Sequence, residues 1–352
     1  MKYLTEHLPR IGTVTVILES EIKLSIKNLR SGSLELVDIN GLSFVIELPH
    51  RIQINSGRRG LQKSNDCHTL RLKVAKDAGG DDIYKDRSVN RMMLVSPNKW
   101  MRRDLMESVS FELQCPVCHN CLISRQDCRK ISDMPSEFWV ELMDYWHCHK
   151  PLNDDQVKVD RYAKLEPLQD ELLIGTSFFS VKSTWSTKRM KLLPESIQCA
   201  KCQRTLGQIS RDCALYNINK WDVNLVRGGL LESYPPELHV ASSLLNCLNS
   251  NATRVTVLKC SRTERSVLIW LFAVDVDVSL TGSQLLKNCI KVYYKDTCQT
   301  YPESSGFQNV ENILVPELPF ERFVERLRSV NAQLPSAVRT MDSWNLSFIE
   351  SS

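Results

Sequence analysis

LQCPVCHNCLISRQDC (residues 113–128) has a second version later in the chain, IQCAKCQRTLGQISRDC (residues 197–213). Leu113-Gln114 precedes the first Cys-x-x-Cys pair and Ile197-Gln198 the second. Leu122 and Leu206 each fall four residues after the second cysteine. Ile123-Ser124-Arg125 then leads to Cys128, and Ile209-Ser210-Arg211 leads to Cys213. The shared framing reads as one hairpin motif used twice. Two residues between thiolates let a tight turn aim both sulfurs at one ion, at about 2.3 Å for zinc. One such knuckle supplies two ligands, and a closed tetrahedral site needs four. Cys115, Cys118, Cys199 and Cys202 are therefore the expected ligands of one structural zinc ion that pins two hairpins far apart in sequence. Buried free cysteines and a redox pair are the other readings of the same residues. The redox reading wants its motif at a helix start after a strand, and neither pair has that context. Cys121 and His119 lie within the first knuckle as potential substitute ligands.

Residues 111–213 hold eight of the thirteen cysteines. A third cluster in this stretch is Trp146-His147-Cys148-His149. Three neighbouring side chains cannot all face one ion from a strand, because neighbours alternate sides. Cys148 reads as a thiol activated by its histidines, as a substitute zinc ligand, or as part of a packed strand end.

On the N-terminal side, period-2 alternation marks strands. Ile22, Leu24 and Ile26 alternate with Lys23, Ser25 and Lys27, and Leu70, Leu72 and Val74 alternate with Arg71 and Lys73. The runs 13–18, 34–37 and 42–48 are apolar or β-branched, and Gly12, Gly32 and Gly41 break them. Short strands at this spacing suggest an antiparallel sandwich-like or barrel-like sheet. Residues 57–103 carry 12 Lys/Arg and 5 Asp/Glu, a local excess of seven positive charges. This reads as a solvated basic loop or as a contact surface for RNA or an acidic protein. Only Tyr84 and Trp100 are there to stack on bases, so nucleic acid is the weaker expectation.

On the C-terminal side, residues 236–248 are expected to form a helix with Leu238, Leu244, Leu245 and Leu248 inward. Residues 253–260 and 266–274 read as a hairpin, its second strand apolar enough to be buried on both faces. After Pro319, Phe320, Phe323, Val324, Leu327, Val330 and Leu334 fall at helical spacing, and Pro335 stops the helix. Trp344, Leu346 and Phe348 alternate as a last strand. The fold class expected is α+β and β-rich. It has an N-terminal antiparallel β-sandwich-like part (1–110, with the basic loop 57–103), zinc-clipped hairpins (111–215) and a C-terminal mixed α/β part (216–352) packed with the zinc region.

Composition bounds the function. The 352 residues are 42% hydrophobic and 24% charged with a net charge of +4, an ordinary globular balance that does not by itself demand an anionic partner. The longest apolar run, residues 267–274, is eight residues, against about 20 for a span, and no membrane partner is expected. The N-terminus has no apolar signal-peptide core. Thirteen cysteines, an odd number, fit a reducing compartment, so a cytoplasmic or nuclear location is expected. There is no His-Glu-x-x-His, no Gly-x-Ser-x-Gly and no Gly-x-x-x-x-Gly-Lys-Ser/Thr, which removes the commonest metalloprotease, hydrolase and nucleotide-binding signatures.

A further set of residues, in order, resembles a known family. Pro135-Ser136-Glu137 with Trp139 comes first, then Trp146-His147-Cys148-His149 with Pro151, then Gly175-Thr176-Ser177-Phe178-Phe179-Ser180-Val181. The knuckle Cys199-Ala200-Lys201-Cys202 with Leu206-Gly207 follows, and last the tail Asn331-Ala332-Gln333-Leu334-Pro335-Ser336 with Arg339, Met341 and Ser343. Together these resemble the HECT-like proteins that bind ubiquitin-conjugating enzymes, a group described as ubiquitin-protein ligases. The chain departs from that pattern at Phe138, where the family tends to have Asn, and at Lys150, inserted within a Cys-His-Pro sequence. The resemblance implies acceptance of ubiquitin from a conjugating enzyme and its transfer to protein lysines through a cysteine thioester. Cys148 is then the candidate catalytic thiol. Ubiquitin, the conjugating enzyme and a protein substrate are the implied partners, the substrate of cyclin type or the endonuclease of the pre-mRNA 3′-end cleavage machinery. The alternative is a non-catalytic, zinc-stabilised adaptor or chaperone for that endonuclease, in which no cysteine reacts.

Overall fold

The structure is a computed structural model. It describes residues 1–54, 60–64, 67–75, 99–134, 167–182, 185, 188–193, 195–209, 215–282, 284–297 and 309–351. Cys148 with its histidines, Pro135–Trp139, Cys213, Cys298 and residues 76–98 of the basic stretch lie outside the described residues. In chain order the strands begin with β1 (Tyr3–Leu8), β2 (Thr13–Glu19), β3 (Leu24–Arg30), β4 (Ser33–Asp38), β5 (Ser43–Glu47), β6 (Gln62–Ser64) and β7 (Cys67–Lys73). Helix α1 (Arg102–Met106) precedes β8 (Phe111–Gln114), β9 (Cys121–Ser124), β10 (Lys130–Asp133), β11 (Glu171–Ile174), β12 (Phe178–Lys182), β13 (Met190–Leu192), β14 (Ser196–Cys199), β15 (Thr205–Ile209), β16 (Leu215–Asn219), β17 (Asn224–Arg227) and β18 (Leu230–Ser233). Then come α2 (Glu237–Asn251), β19 (Val255–Cys260), β20 (Ser266–Leu280), β21 (Gln284–Thr297), β22 (Val310–Val315), α3 (Glu317–Gln333), α4 (Ser336–Arg339), β23 (Thr340–Met341) and β24 (Trp344–Glu350). Among the described residues no helix is long and apolar enough to cross a membrane.

The chain divides into two compact units, one of residues 1–96 and 240–352 and the other of residues 97–239. This grouping differs from the three consecutive segments drawn on the sequence, and strand pairing is the reason. β1 lies between β2 and the second half of β20, with Leu4 opposite both Ile17 and Leu280. The N-terminal strands therefore complete a sheet begun near the C-terminus. That ten-stranded sheet runs β23-β24-β21-β20-β1-β2-β7-β6, with β19 paired to β20 and, in parallel, β22 to β19. β20 and β21, 15 and 14 residues long, form its spine. β20 is longer than the expected strand and is not buried throughout, since Phe272 is 46% exposed.

A three-stranded sheet, β3-β4-β5, packs with one end of the large sheet. Leu24, Leu34, Leu36 and Ile46 share a core with Val14, Val16, Leu70 and Leu72. That is sandwich-like packing, with alternate residues of each strand turned inward. Part of the supposed basic loop is thus sheet: β6 covers Gln62–Ser64 and β7 Cys67–Lys73, and apolar Leu70 and Leu72 hold β7 in place although charged residues alternate with them. Helices cover the C-terminal half of this unit. Val240, Ala241, Leu244 and Leu245 of α2 and Phe320, Phe323, Val324 and Leu327 of α3 pack with Ile269, Leu271, Ile290 and Val292. α3 starts at Glu317, two residues before the proline expected to open it. Pro316 to Pro319 can still sit there because the first turn has no partner for its N–H groups.

The second unit holds a seven-stranded sheet, β10-β11-β12-β16-β15-β14-β13, and a four-stranded sheet, β18-β17-β8-β9. One core joins them, with Phe111, Leu113, Leu122 and Leu225 from the smaller sheet and Ile174, Phe179, Ile197, Leu206 and Ile218 from the larger. Gly207 of β15 has no room for a side chain: a Cβ there would stand 2.0 Å from the Asn217 carbonyl oxygen of β16. Lys220 is fully buried, its Nζ donating to the carbonyls of Lys99 at 2.8 Å and Thr176 at 3.1 Å. It also faces the rings of Phe179 and Tyr234.

Candidate metal centre

The two knuckles are built alike. β8 and β9 flank the first, and β14 and β15 flank the second. Each hairpin shifts register just before its first cysteine, between Leu113 and Gln114 and between Ile197 and Gln198. In the first, Cys115 N–H donates to the Asn120 carbonyl at 2.9 Å and His119 N–H to the Cys115 carbonyl at 3.0 Å. In the second, Cys199 N–H donates to Arg204 and Gln203 N–H to Cys199, both at 2.9 Å. His119 (φ 54) and Gln203 (φ 64) occupy the left-handed region at the same place in each turn. Leu113, Leu122, Ile197 and Leu206 are fully buried anchors beneath the turns. The repeated sequence therefore folds into a repeated structure, with the apolar residues setting the hairpin and the Cys-x-x-Cys turn projecting from it.

The four cysteines meet although they come from different sheets. Their sulfurs all lie within 4.8 Å of one another. Cys115 Sγ is 3.5 Å from Cys202 Sγ, and Cys118 Sγ is 3.5 Å from Cys199 Sγ. All four are free thiols. A tetrahedron of sulfurs at about 2.3 Å from an ion has edges of about 3.8 Å, so the observed spread fits one ion with small adjustments. Four sulfurs in that arrangement suit zinc or iron rather than the hard, oxygen-seeking cations. Electrostatics point the same way. Burial works against ionisation of Cys199, but the backbone N–H groups of Cys202 and Lys201 and the neighbouring thiols aim at its sulfur and bring it down to about 7. The Arg204 N–H aimed at Cys202 favours its thiolate, but burial and the neighbouring thiols outweigh it and hold Cys202 up. Four sulfurs this close resist becoming four thiolates together, and a dication removes that resistance.

Side chains around the sulfurs tie the hairpins together. Asn120 Nδ2 donates to the Arg189 carbonyl at 3.2 Å and lies 3.6 Å from Cys199 Sγ. Arg189 Nη1 reaches Asp127 Oδ2 at 2.7 Å and Cys121 Sγ at 3.5 Å. Burial favours a protonated Asp127, but the Ser124 hydroxyl and N–H and the Arg189 guanidinium together lower its carboxyl below the usual range. Sequence reasoning did not single out Asn120 or Arg189. The signal available was an asymmetry between the repeats, Asn120 standing where the second knuckle has Arg204, whose guanidinium turns instead to Asp222 at 3.3 Å.

The other described cysteines do not join the cluster. Cys121 lies beside it against Arg189, and burial raises its thiol. Burial pushes Cys128 up to about 12 and raises Cys289 strongly. Cys67 and Cys260 are buried in strands. His239, also outside the cluster, is buried with its Nδ1 2.9 Å from Ser177 Oγ, and burial lowers it to about 4.

Comparison with known proteins adds a second line of evidence. A family model described as HECT-like ubiquitin-conjugating enzyme (E2)-binding matches residues 6–346. The chain is 33% identical over 357 residues to "Uncharacterized protein YJR141W" of Saccharomyces cerevisiae, covering 99% of both chains. It is 21% identical over 306 residues to a Mus musculus protein named as an E3 ubiquitin-protein ligase, with 77% of this chain and 79% of the mouse protein covered. The Homo sapiens protein of the same name is 22% identical over 288 residues, with 67% and 72% covered. No solved structure matches the chain.

Proposed function

This chain belongs to the HECT-like ubiquitin-conjugating enzyme (E2)-binding family, and on that premise we propose that it receives ubiquitin from a conjugating enzyme and transfers it to lysines of a protein substrate. The family match along nearly the whole chain and the E3-named relatives support a ubiquitin-ligase-related role. The observation that carries the proposal is the match to an E2-binding family over residues 6–346. In the proposed chemistry a thiolate of the chain attacks the thioester carbonyl of the charged conjugating enzyme and the enzyme's cysteine leaves as thiolate. A lysine amine then attacks the new thioester, forms the isopeptide bond and releases the first thiolate. The transferring thiol must be reachable and cannot also be a closed metal ligand. We assign it to Cys148, which His147 and His149 flank in sequence.

The four-cysteine cluster is proposed to hold a structural zinc ion. Cys115, Cys118, Cys199 and Cys202 would complete its coordination, which leaves no position for a substrate and so no direct part in transfer. Zinc thiolates of this kind persist in a reducing compartment, in keeping with a cytoplasmic or nuclear site of action.

A non-catalytic reading has one specific observation behind it. Cys121, Cys128 and Cys289 all have thiols raised by burial, the opposite of an activated nucleophile. In that reading the chain holds a conjugating enzyme or a client protein and forms no thioester. A non-reducing gel separates the two. The chain is mixed with activating enzyme, conjugating enzymes, ATP and labelled ubiquitin. The proposal expects a reductant-sensitive adduct of chain and ubiquitin that Cys148→Ala abolishes. Charged conjugating enzymes with no adduct on the chain would establish the adaptor reading instead.

A further inference from the structure

We propose that Asn120 and Arg189 form a reciprocal latch between the two knuckles that pre-positions the four sulfurs and sets how tightly the metal is kept. The inference rests on the metal reading above and deepens it by assigning two positioning residues outside the ligand set. The contacts cross in both directions. Asn120 belongs to the first hairpin and donates its amide to the Arg189 carbonyl, with Cys199 Sγ 3.6 Å away on the second. Arg189 stands just before β13, whose Met190 pairs with Cys199. Its carbonyl also accepts from Ala200 N–H at 3.0 Å, inside the second knuckle. Its guanidinium returns to the first hairpin, at Asp127 and Cys121. One residue from each side thus binds the other side, and the two meet at a single carbonyl.

Two physical consequences follow. Side chains outside the ligand set that fix ligand geometry typically change metal affinity about 10–100-fold when removed. An N–H aimed at one sulfur also draws electron density from it, so Cys199 would be a weaker donor to a bound ion than its three partners. Among the described residues the second knuckle has no matching contact to the first: Arg204, the counterpart of Asn120, points to Asp222. Among the described residues, Cys199 is therefore the ligand sulfur to which a side-chain amide N–H is directed.

The test uses the full chain, purified with zinc. Zinc retention is measured by competition with a chromophoric chelator, and the thiolate-to-metal charge-transfer band is recorded after cobalt(II) replaces zinc. Asn120→Ala and Arg189→Ala are expected to weaken zinc retention about 10-fold or more. Asn120→Ala should also shift the cobalt band, because a donor to one sulfur has gone. Gln208→Ala, at an exposed position of β15 outside the knuckle turn, should match wild type in both measurements. Asn120→Asp keeps the size and exchanges the donor for an anion beside a thiolate, so it should lose zinc at least as readily as the alanine variant. Wild-type retention and an unshifted cobalt band in Asn120→Asp and Arg189→Ala would overturn the latch. Failure of the wild-type chain to hold zinc at all would instead overturn the metal reading on which the latch rests.

Discussion

Cys199 shows how one side chain links sequence, fold and chemistry. It ends β14, opens the second knuckle, and has its sulfur within reach of Cys118, Asn120 and two backbone N–H groups. Cys199→Ser is expected to lose zinc and to melt earlier, because metal-binding energy is also folding energy for the hairpins it joins. Metal content and thermal unfolding of the same preparation check both at once, and full zinc occupancy in the variant would disprove the ligand set. The knuckle ligands were legible in the sequence because both halves carry the same local spacing. Asn120 and Arg189 were not, because their roles depend on which hairpin each faces. Lys220 was not legible either, because the carbonyls of Lys99 and Thr176 that receive its Nζ lie 121 and 44 residues away in sequence. Burial brings its ammonium down to about 7 and the imidazolium of His239 to about 4. Both groups are cations disfavoured by the fold, so the unfolded chain binds more protons between folded and unfolded pKa values. Stability should therefore rise with pH from about 4 to 6.5 through His239 and again from about 7 to 10 through Lys220. The second rise is on the order of 5 kcal/mol at most. Denaturant unfolding across this range should show it in wild type and not in Lys220→Met. An identical rise in that variant would remove Lys220 as its source.

At the level of elements, the β15–β16 pair is closed by a glycine that admits no side chain. Gly207 faces Ile218 across the ladder and lies directly against the Asn217 carbonyl. Gly207→Ala forces the two strands apart or breaks their pairing, and a loss of about 3 kcal/mol or more is expected from overpacking at a backbone contact. Unfolding by urea, with zinc content as a companion reading, tests this. A stability within about 0.5 kcal/mol of wild type would show that the strands can give way. α3 presents the reverse case. Phe320, Phe323 and Leu327 are fully buried, and Phe323→Ala should cost about 3–5 kcal/mol by leaving a cavity, read in the same experiment. The sequence made α3 legible because its apolar stripe has the helical period. It placed the start two residues late because Pro319 suits the first turn as well as the first position. Strands β3 and β7 were visible as alternation, and β2, β4 and β5 as apolar runs broken by glycines, whereas β1 was not, its Glu6 and His7 interrupting the pattern.

For the whole molecule, local pattern runs out where the chain closes on itself. Nothing in residues 3–8 announces a partner near residue 280, yet Leu4 pairs with Leu280 and Glu6 meets Lys291 at 2.8 Å. Strand pairing over such a separation is set by the shared core of Leu4, Val276, Val278 and Leu280, which no window of sequence contains. A fragment of residues 1–110 is accordingly expected to remain largely unfolded by circular dichroism and amide exchange, since β1 would lose the strand that β20 provides and, with it, the core residues Val276, Val278 and Leu280 that cover Leu4. A cooperatively folded fragment would mean that the N-terminal strands form a domain of their own.

The functional account rests on a ubiquitin-conjugating enzyme as partner, and one measurement addresses it directly. Conjugating enzymes are first charged with ubiquitin, the charging reaction is quenched, and the loss of the thioester is followed with and without the purified, zinc-loaded chain in the presence of a lysine-bearing acceptor protein. The account predicts that at least one conjugating enzyme discharges faster with the chain present, with ubiquitin appearing on acceptor lysines. Unchanged discharge across the panel, together with no detectable binding of any charged enzyme, would contradict it.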